Sequence, residues 1–228
     1  MNKFTRKHEI AQVAKHKQDL MNGNGDISLN GILLSQACQE ILNECRIFRE
    51  RIYTPIKTVF MFVKQVLSAD TSCRNAVAGA VTEQMCSGED ESSINTGPYC
   101  KARQRLPEKS MHDMVKNTGK DTVSKAPESW RWNGRPVKLV DGTTVTMADT
   151  AENQKEFPQH GNQKEGVGFP IARLVAIMSL ETGAVLDYAI AAHKGKGTGE
   201  HSLYREIVSC IEAGDVLLGD RYYPSFFY

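Results

Sequence analysis

The chain has no strong charge of either sign, no long apolar run and no paired cysteines. Each absence excludes something. With 28 Lys+Arg against 27 Asp+Glu, the formal net charge is +1, so total charge does not announce a polyanion binder. The most apolar stretch, residues 56–67, is interrupted by Lys57, Lys64 and Gln65 and is too short to span a bilayer, which needs about 20 apolar residues. The first twenty residues are polar and basic and lack the apolar segment of a secretory signal. A cytoplasmic location with no membrane partner is therefore expected. The six cysteines form no C-x-x-C pair, and no pair of histidines completes a zinc pattern. Reduced, mostly buried thiols are the expectation. No G-x-x-x-x-G-K-[ST] can be aligned on the glycine-rich run 195–199, which removes the P-loop class. No internal repeat is present.

What is there is an ordinary globular composition, 40% hydrophobic and 24% charged, in 228 residues. That is enough for one large domain or two small ones. Charge is unevenly spread: residues 1–120 carry 17 Lys+Arg and 13 Asp+Glu, residues 121–228 carry 11 and 14. A mildly basic front and an acidic back suit a phosphate-contacting module joined to a cation-binding one, and ordinary scatter gives the same figures.

The pattern divides the chain at 126/127. Residues 1–27 read as a loose basic arm. Over 30–52 the apolar residues Ile32, Leu33, Ala37, Ile41, Leu42, Cys45, Phe48 and Ile52 recur at helical spacing. Thr54-Pro55 has the form of an N-cap followed by Pro in the first turn, opening a helix to Leu67. Asp70 is a candidate cap for a third helix, through Met85. A fourth is expected over Tyr99–Leu106, a short one to Asn117, and a linker over 119–128. Beyond residue 128 the period changes. Asn133-Gly134 signals a hairpin leading into a strand that ends near Asp141. Further strands fit Ala172–Ser179 and Ala184–Ile190, a helix fits Glu200–Ala213, and a short strand fits Val216–Leu218. Trp130 and Trp132 read as strand packing rather than base-stacking platforms.

The resulting order is βββαβ. Two tight turns would make the first three strands antiparallel neighbours, and the helical crossover makes the fourth parallel to one of them. If that neighbour is the first strand, Asp141 and Asp220 meet although they are 79 residues apart in sequence. Adjacent carboxylates repel unless a cation neutralises them, and Mg²⁺ accepts one or two carboxylates while keeping water or phosphate oxygens. Two such ions can activate an attacking oxygen and stabilise the leaving one in phosphodiester displacement. Taken singly, Asp141-Gly142 and Gly219-Asp220 are ordinary turn dipeptides. Lys101, Arg103 and Arg105 alternate on a short helix and Lys194 and Lys196 stand among glycines. Each group reads either as a phosphate contact or as a solvated surface. Arg221 reads as a phosphate contact or as a partner of a neighbouring carboxylate. His193 and His201 read as structural or surface residues.

Four segments carry a resemblance. Asp141-Gly-Thr-Thr-Val-Thr-Met-Ala-Asp-Thr-Ala-Glu-Asn-Gln154 resembles the first-aspartate block of transposases of insertion sequence family 4, in the DDE, RNase H-like superfamily. Gly166-Val-Gly-Phe-Pro-Ile-Ala-Arg-Leu174 is similar to the segment that follows it, and Gly214-Asp-Val-Leu-Leu-Gly-Asp-Arg-Tyr-Tyr223 to the second-aspartate block. Tyr99–Arg103 and Arg105-Leu-Pro107 resemble the family's N-terminal region. Ala148 and Ala151 stand where prolines are expected. The resemblance implies an α+β chain: an N-terminal helical, DNA-binding region (1–126), then a partial RNase H-like mixed sheet (127–228). It implies Asp141 and Asp220 as catalytic, metal-holding residues, Mg²⁺ or Mn²⁺ as cofactor, element-end and target DNA as partners, and a homo-oligomer as a possible state. It also implies a third acid, a Glu on a later helix, whereas the sequence ends at Tyr228, eight residues after Asp220. Glu200, Glu206 and Glu212 precede the fourth strand and are assigned no such role. The expectation is therefore a truncated and inactive transposase, with a catalytically dead DNA-binding or interaction remnant as the alternative and another RNase H-like nuclease as a third.

Overall fold

The protein is described by a computed structural model, which places residues 36–45, 52–88, 92–162, 164, 166–221 and 223. The basic arm 1–27 and parts of the first expected helix lie outside the described residues. The chain divides into two compact units, at Met111/His112, against an expected division at 126/127.

In the first unit, helices α1 (Gln36–Asn43), α2 (Pro55–Leu67), α3 (Cys73–Cys86) and α4 (Gly97–Gln104) follow one another. The start of α2 is as the sequence implies: Thr54 Oγ1 accepts from the Lys57 N–H at 3.3 Å, and Pro55 fills a first-turn position that needs no donor. For α3 the cap is Ser72, whose hydroxyl accepts from the Asn75 N–H. Asp70 stands two residues before it and accepts from the Ser72 N–H instead. Tyr53, Met61, Val77, Val81, Tyr99 and Ala102 form the core. Buried Gln65 ties three segments together. Its amide donates to the Thr71 carbonyl at 2.6 Å, and its Oε1 accepts from the Tyr99 hydroxyl at 2.8 Å. Burial pushes the Tyr99 hydroxyl up to about 12, although the Arg103 charge opposes the shift.

Helix α5 (Glu108–Ser124) corrects the expected linker at 119–128. Gly119 in mid-helix reads as a breaker, since Gly costs about 1 kcal/mol against Ala there. Its reason is close packing. A Cβ on Gly119 would overlap the Val185 carbonyl oxygen on strand β3 (Val185–Ala192). The helix is further fixed through Asp187 of β3, 1% exposed, which pairs with His112 at 2.8 Å and Lys116 at 2.6 Å. These contacts join most of α5 to the second unit.

The sheet of that unit contains β1 (Val137–Thr146), β2 (Ile171–Ser179), β3 and β4 (Val216–Leu218), in the order β3-β2-β1-β4. β1 and β2 are antiparallel, from Lys138 opposite Ser179 to Thr146 opposite Ile171. β2 and β3 are antiparallel with an irregularity at Ile177/Met178. β4 runs parallel to β1. The fold is α+β with a mixed sheet, in the βββαβ order expected of a partial RNase H-like domain. Three local expectations change. β1 continues to Thr146. The β1–β2 connection is residues 147–170, with α6 (Ala151–Glu156) inside it, rather than a tight turn. Asn133-Gly134 closes only a single Trp132–Arg135 bridge, and Trp130 and Trp132 are 58% and 59% exposed, not packed in a strand.

Helix α7 (Glu200–Ile207) continues as a 3-10 turn, Val208–Cys210. Its Leu203, Tyr204 and Ile207 pack with Val140, Val175, Ile177, Leu186 and Ala189 of the sheet. Lys138, 8% exposed, holds the approach to β4. It pairs with Asp215 at 2.5 Å and donates to the Cys210 carbonyl at 2.6 Å. All six cysteines are free, as expected, but only Cys38 and Cys45 are buried and Cys86 is exposed.

Candidate active site

Along β1 the side chains alternate between the helix-covered core and solvent. Val140 is 1% exposed, and the next residue, Asp141, is exposed. One Asp141 carboxylate oxygen accepts from the Gly142 N–H at 2.8 Å. The parallel ladder pairs Val137 with Val216, Lys138 with Leu217 and Leu139 with Leu218. Carried two residues further, that register sets Asp141 level with Asp220.

Between β4 and Asp220 lies Gly219, and its lack of a side chain is required. A Cβ there would stand 2.9 Å from Val140 Cγ1 and 3.1 Å from Tyr223 Cδ2. Gly219-Asp220 is therefore more than a turn dipeptide. The glycine lets the chain pass tightly over the core while the aspartate emerges at the surface. Tyr223 closes this corner. It is 3% exposed, and its ring meets Tyr204 edge-on at 5.5 Å. Its hydroxyl finds no hydrogen-bond partner among the described residues. Burial, then the negative charges of Glu200, Asp141 and Asp220, push that hydroxyl up to about 12.

The negative charges of three acids thus bear on one buried hydroxyl. Glu200 is the first residue of α7. Its carboxyl carbon lies 2.8 Å from where a Cβ on Gly142 would stand. Among the described residues, no three of His, Cys, Asp and Glu are gathered closely enough to enclose an ion already. In donor chemistry the corner fits a hard divalent cation such as Mg²⁺ or Mn²⁺, which binds carboxylate oxygens and retains water. Asp141 makes no ion pair among the described residues, so its charge is open to such a cation.

The basic candidates fall into two groups. Lys101, Arg103 and Arg105 are on or beside α4 in the first unit. Lys101 and Arg105 are exposed. The Arg103 guanidinium instead lies 4.5 Å from the Phe62 ring centroid and reaches Gln65 Oε1 at 3.3 Å. In the second unit, Lys194 and Lys196 are exposed on the loop before α7, and Arg221 is exposed beside Asp220. That loop is pinned by Arg173, whose guanidinium donates to the Thr198 carbonyl at 2.8 Å. The His193 ring lies 5.3 Å from that of His160, tilted by 39°. Its imidazole pKa is lowered by desolvation first, then by the charges of Arg173, His160 and Lys194. Arg173 on β2 and His160 in the β1–β2 connection thus contact residues of this loop, and the sequence reading gave neither a role. The β2 position of Arg173, among apolar neighbours, was the available signal.

Residues 132–226 match the family described as the transposase DDE domain. The matched segment contains the whole sheet, α7 and both aspartates. This part of the chain is similar to that domain, and the match supports a DDE transposase. No curated protein and no solved structure matches the chain. No helix among the described residues is long and apolar enough to cross a membrane.

Proposed function

We propose that this chain is a DNA transposase of an insertion sequence, of insertion sequence family 4, acting on phosphodiester bonds at element ends and target. The observation that carries the reading is the parallel β1–β4 register, which, continued two residues past the Leu139–Leu218 pair, would set Asp141 level with Asp220 inside the segment similar to a transposase DDE domain. Asp141 and Asp220 would hold the divalent ion. When bound, such an ion activates a water or 3′ hydroxyl and stabilises the oxygen that leaves.

The chain's own contribution is position and charge. Val140 and Tyr223, packed against Gly219, hold β4 at one distance from β1. That fixes where the Asp220 backbone enters the site. Lys194, Lys196 and Arg221 are exposed on the same unit and supply cationic contacts for phosphates flanking the scissile bond. Lys101, Arg103 and Arg105 would serve the end-binding role in the first unit, with Lys101 and Arg105 reaching phosphate and Arg103 holding the helix. A second copy of the chain is the natural partner for joining two element ends.

The test is to incubate the purified chain with DNA carrying the flanks of its own gene, with Mg²⁺ or Mn²⁺. Nicking at the element end that disappears in Asp141→Ala and in Asp220→Ala supports the proposal. Binding of the ends with no cleavage under either metal supports the interaction-protein alternative. Cleavage of RNA–DNA hybrids with no end preference supports another RNase H-like nuclease.

A further inference from the structure

We propose that Arg173, His193, His160 and Lys194 form a binding site for one phosphate group, built where the start of β2 meets the β1–β2 connection and the loop before α7. That the phosphate belongs to a DNA strand rests on the reading of the chain as a transposase.

Hydrogen bonds and close packing join the four residues. Arg173 on β2 donates from Nη1 to the Thr198 carbonyl at 2.8 Å, and its Nη2 lies 3.5 Å from Nδ1 of His193. A guanidinium has only hydrogens to offer. Nδ1 therefore supplies the lone pair, and a neutral His193 carries its hydrogen on Nε2. The ring of His160, from the β1–β2 connection, lies 5.3 Å from that of His193. Its Nδ1 accepts from the Asn162 N–H at 3.4 Å, so its hydrogen is likewise on Nε2. Gly161 makes room for the fourth group. A Cβ there would overlap the Lys194 ammonium nitrogen, so that side chain lies against bare backbone next to His160. The connection is itself held in shape by Gln159. Its Oε1 accepts from the Gly166 and Gly168 N–H groups at 3.1 and 3.0 Å, and its amide donates to the Lys164 carbonyl at 2.9 Å.

What this cluster lacks is a counter-charge. The buried side chains of Asp187 and Asp215, in the same unit, have basic partners. Arg173 is half-buried and permanently charged. It makes no ion pair among the described residues, and neither do Lys194, His160 and His193. Its Nε is buried and without a hydrogen-bond partner. Desolvation, then the charges of Arg173, His160 and Lys194, lower the His193 pKa. Basic groups gathered in this way, with no acid among them, repel one another until an anion arrives from solution. A phosphate brings negative charge to Arg173 and Lys194 and acceptor oxygens to the two Nε2 donors. Four basic groups arriving from three segments call for more acceptor oxygens than the two of a carboxylate.

The test measures binding of the full chain to a fluorescein-labelled DNA duplex by anisotropy across a series of KCl concentrations, with EDTA present. Binding of inorganic phosphate is measured by calorimetry, and circular dichroism verifies folding. Arg173→Gln should weaken duplex binding on the order of 10- to 100-fold, as when a hydrogen bond to a charged group is lost. Arg173 also holds Thr198, so a second variant leaves that bond intact. Lys194→Gln, at an exposed position, should reduce the slope of log affinity against log salt by about 0.9, the value of one phosphate contact. His193→Phe, at about pH 8 where imidazoles are neutral, should weaken binding with the slope unchanged. Lys125→Gln removes an equal charge from a lysine already paired with Asp121 and should bind as the unaltered chain does. Phosphate binding that is lost in Arg173→Gln while the chain binds no duplex would keep the site, with free phosphate as its ligand, and count against the transposase reading. Duplex affinity, salt slope and phosphate binding all unchanged in Arg173→Gln and Lys194→Gln would overturn the site and leave the transposase reading standing. Equal losses in Lys125→Gln and Lys194→Gln, or no binding of either probe by the unaltered chain, would overturn it as well.

Discussion

Two sets of acids occupy the second unit, and they are treated in opposite ways. The side chains of Asp187 and Asp215 are buried and closed by basic groups. Asp187 has Lys116 and His112, and Asp215 has Lys138. Asp141 is exposed and makes no ion pair among the described residues, and Glu200 lies against a bare backbone rather than against a lysine. A buried carboxylate without a partner is costly enough that folding supplies one from the chain. A carboxylate whose cation comes from solution must stay reachable and must not be neutralised from within. The difference separates acids paired within the fold from acids left without a basic partner among the described residues, and position in the sequence alone does not reveal it.

The comparison is broken most severely by removing the lysine of a closed pair. Lys138→Met leaves Asp215 buried without its cation and should cost about 3–5 kcal/mol, read as a lower denaturant midpoint. A loss under 1 kcal/mol would show that Asp215 reaches water easily. Gly119→Ala drives a methyl into the Val185 carbonyl and should cost about 1–3 kcal/mol by overpacking, measured in the same way. Asp141→Asn should change stability by no more than about 0.5 kcal/mol, as at most surface sites. If Asp141 holds the cation, Mg²⁺ should raise the melting temperature of the unaltered chain and leave that of Asp141→Asn unchanged. A large destabilisation would place Asp141 among the structural acids.

The smallest effect is expected in alkali. Tyr223 has its ordinary value of 10.0 raised to about 12. Its hydroxyl therefore stays protonated in the folded chain after the unfolded chain has begun to ionise. The stability linked to it is fully present below pH 10 and is lost between pH 10 and pH 12. Tyr223→Phe should flatten that loss in urea titrations across this window. An unchanged slope would show that the hydroxyl does not carry the shift. Tyr99 adds to the same window and is unaffected by the substitution.

Much of this unit is legible from the residues alone. Alternation in residues 172–179 and 184–190, with the glycine turn at 183, gives two strands to within one or two residues. The helical crossover requires β4 to run parallel, and the core residues of α7 follow from their spacing. The illegible parts have particular causes. Gly119 reads as a break because its benefit comes from a strand 66 residues later. The burial of Lys138 and Asp187 in strands has no signal in the local sequence because their partners come from other elements. In the first unit the periodicity identified helices well, yet Arg103 read as a surface cation because its packing against Phe62 depends on α2 and α4 meeting.

The shortness of β4 has a kinetic consequence. β1, β2 and β3 pair antiparallel with their chain neighbours along most of their length. β4 adds three residue pairs, and only after the chain has passed through α7. Closing that longer loop for so few pairs makes β4 the natural last arrival in folding and the first departure in local opening. Asp220 travels with it. The second acid of the pair is thus delivered by the least committed strand of the sheet, so the amides of Val216–Leu218 should exchange with solvent sooner than those of β2, and a cation that bridges to β1 would act as a latch on the order of assembly.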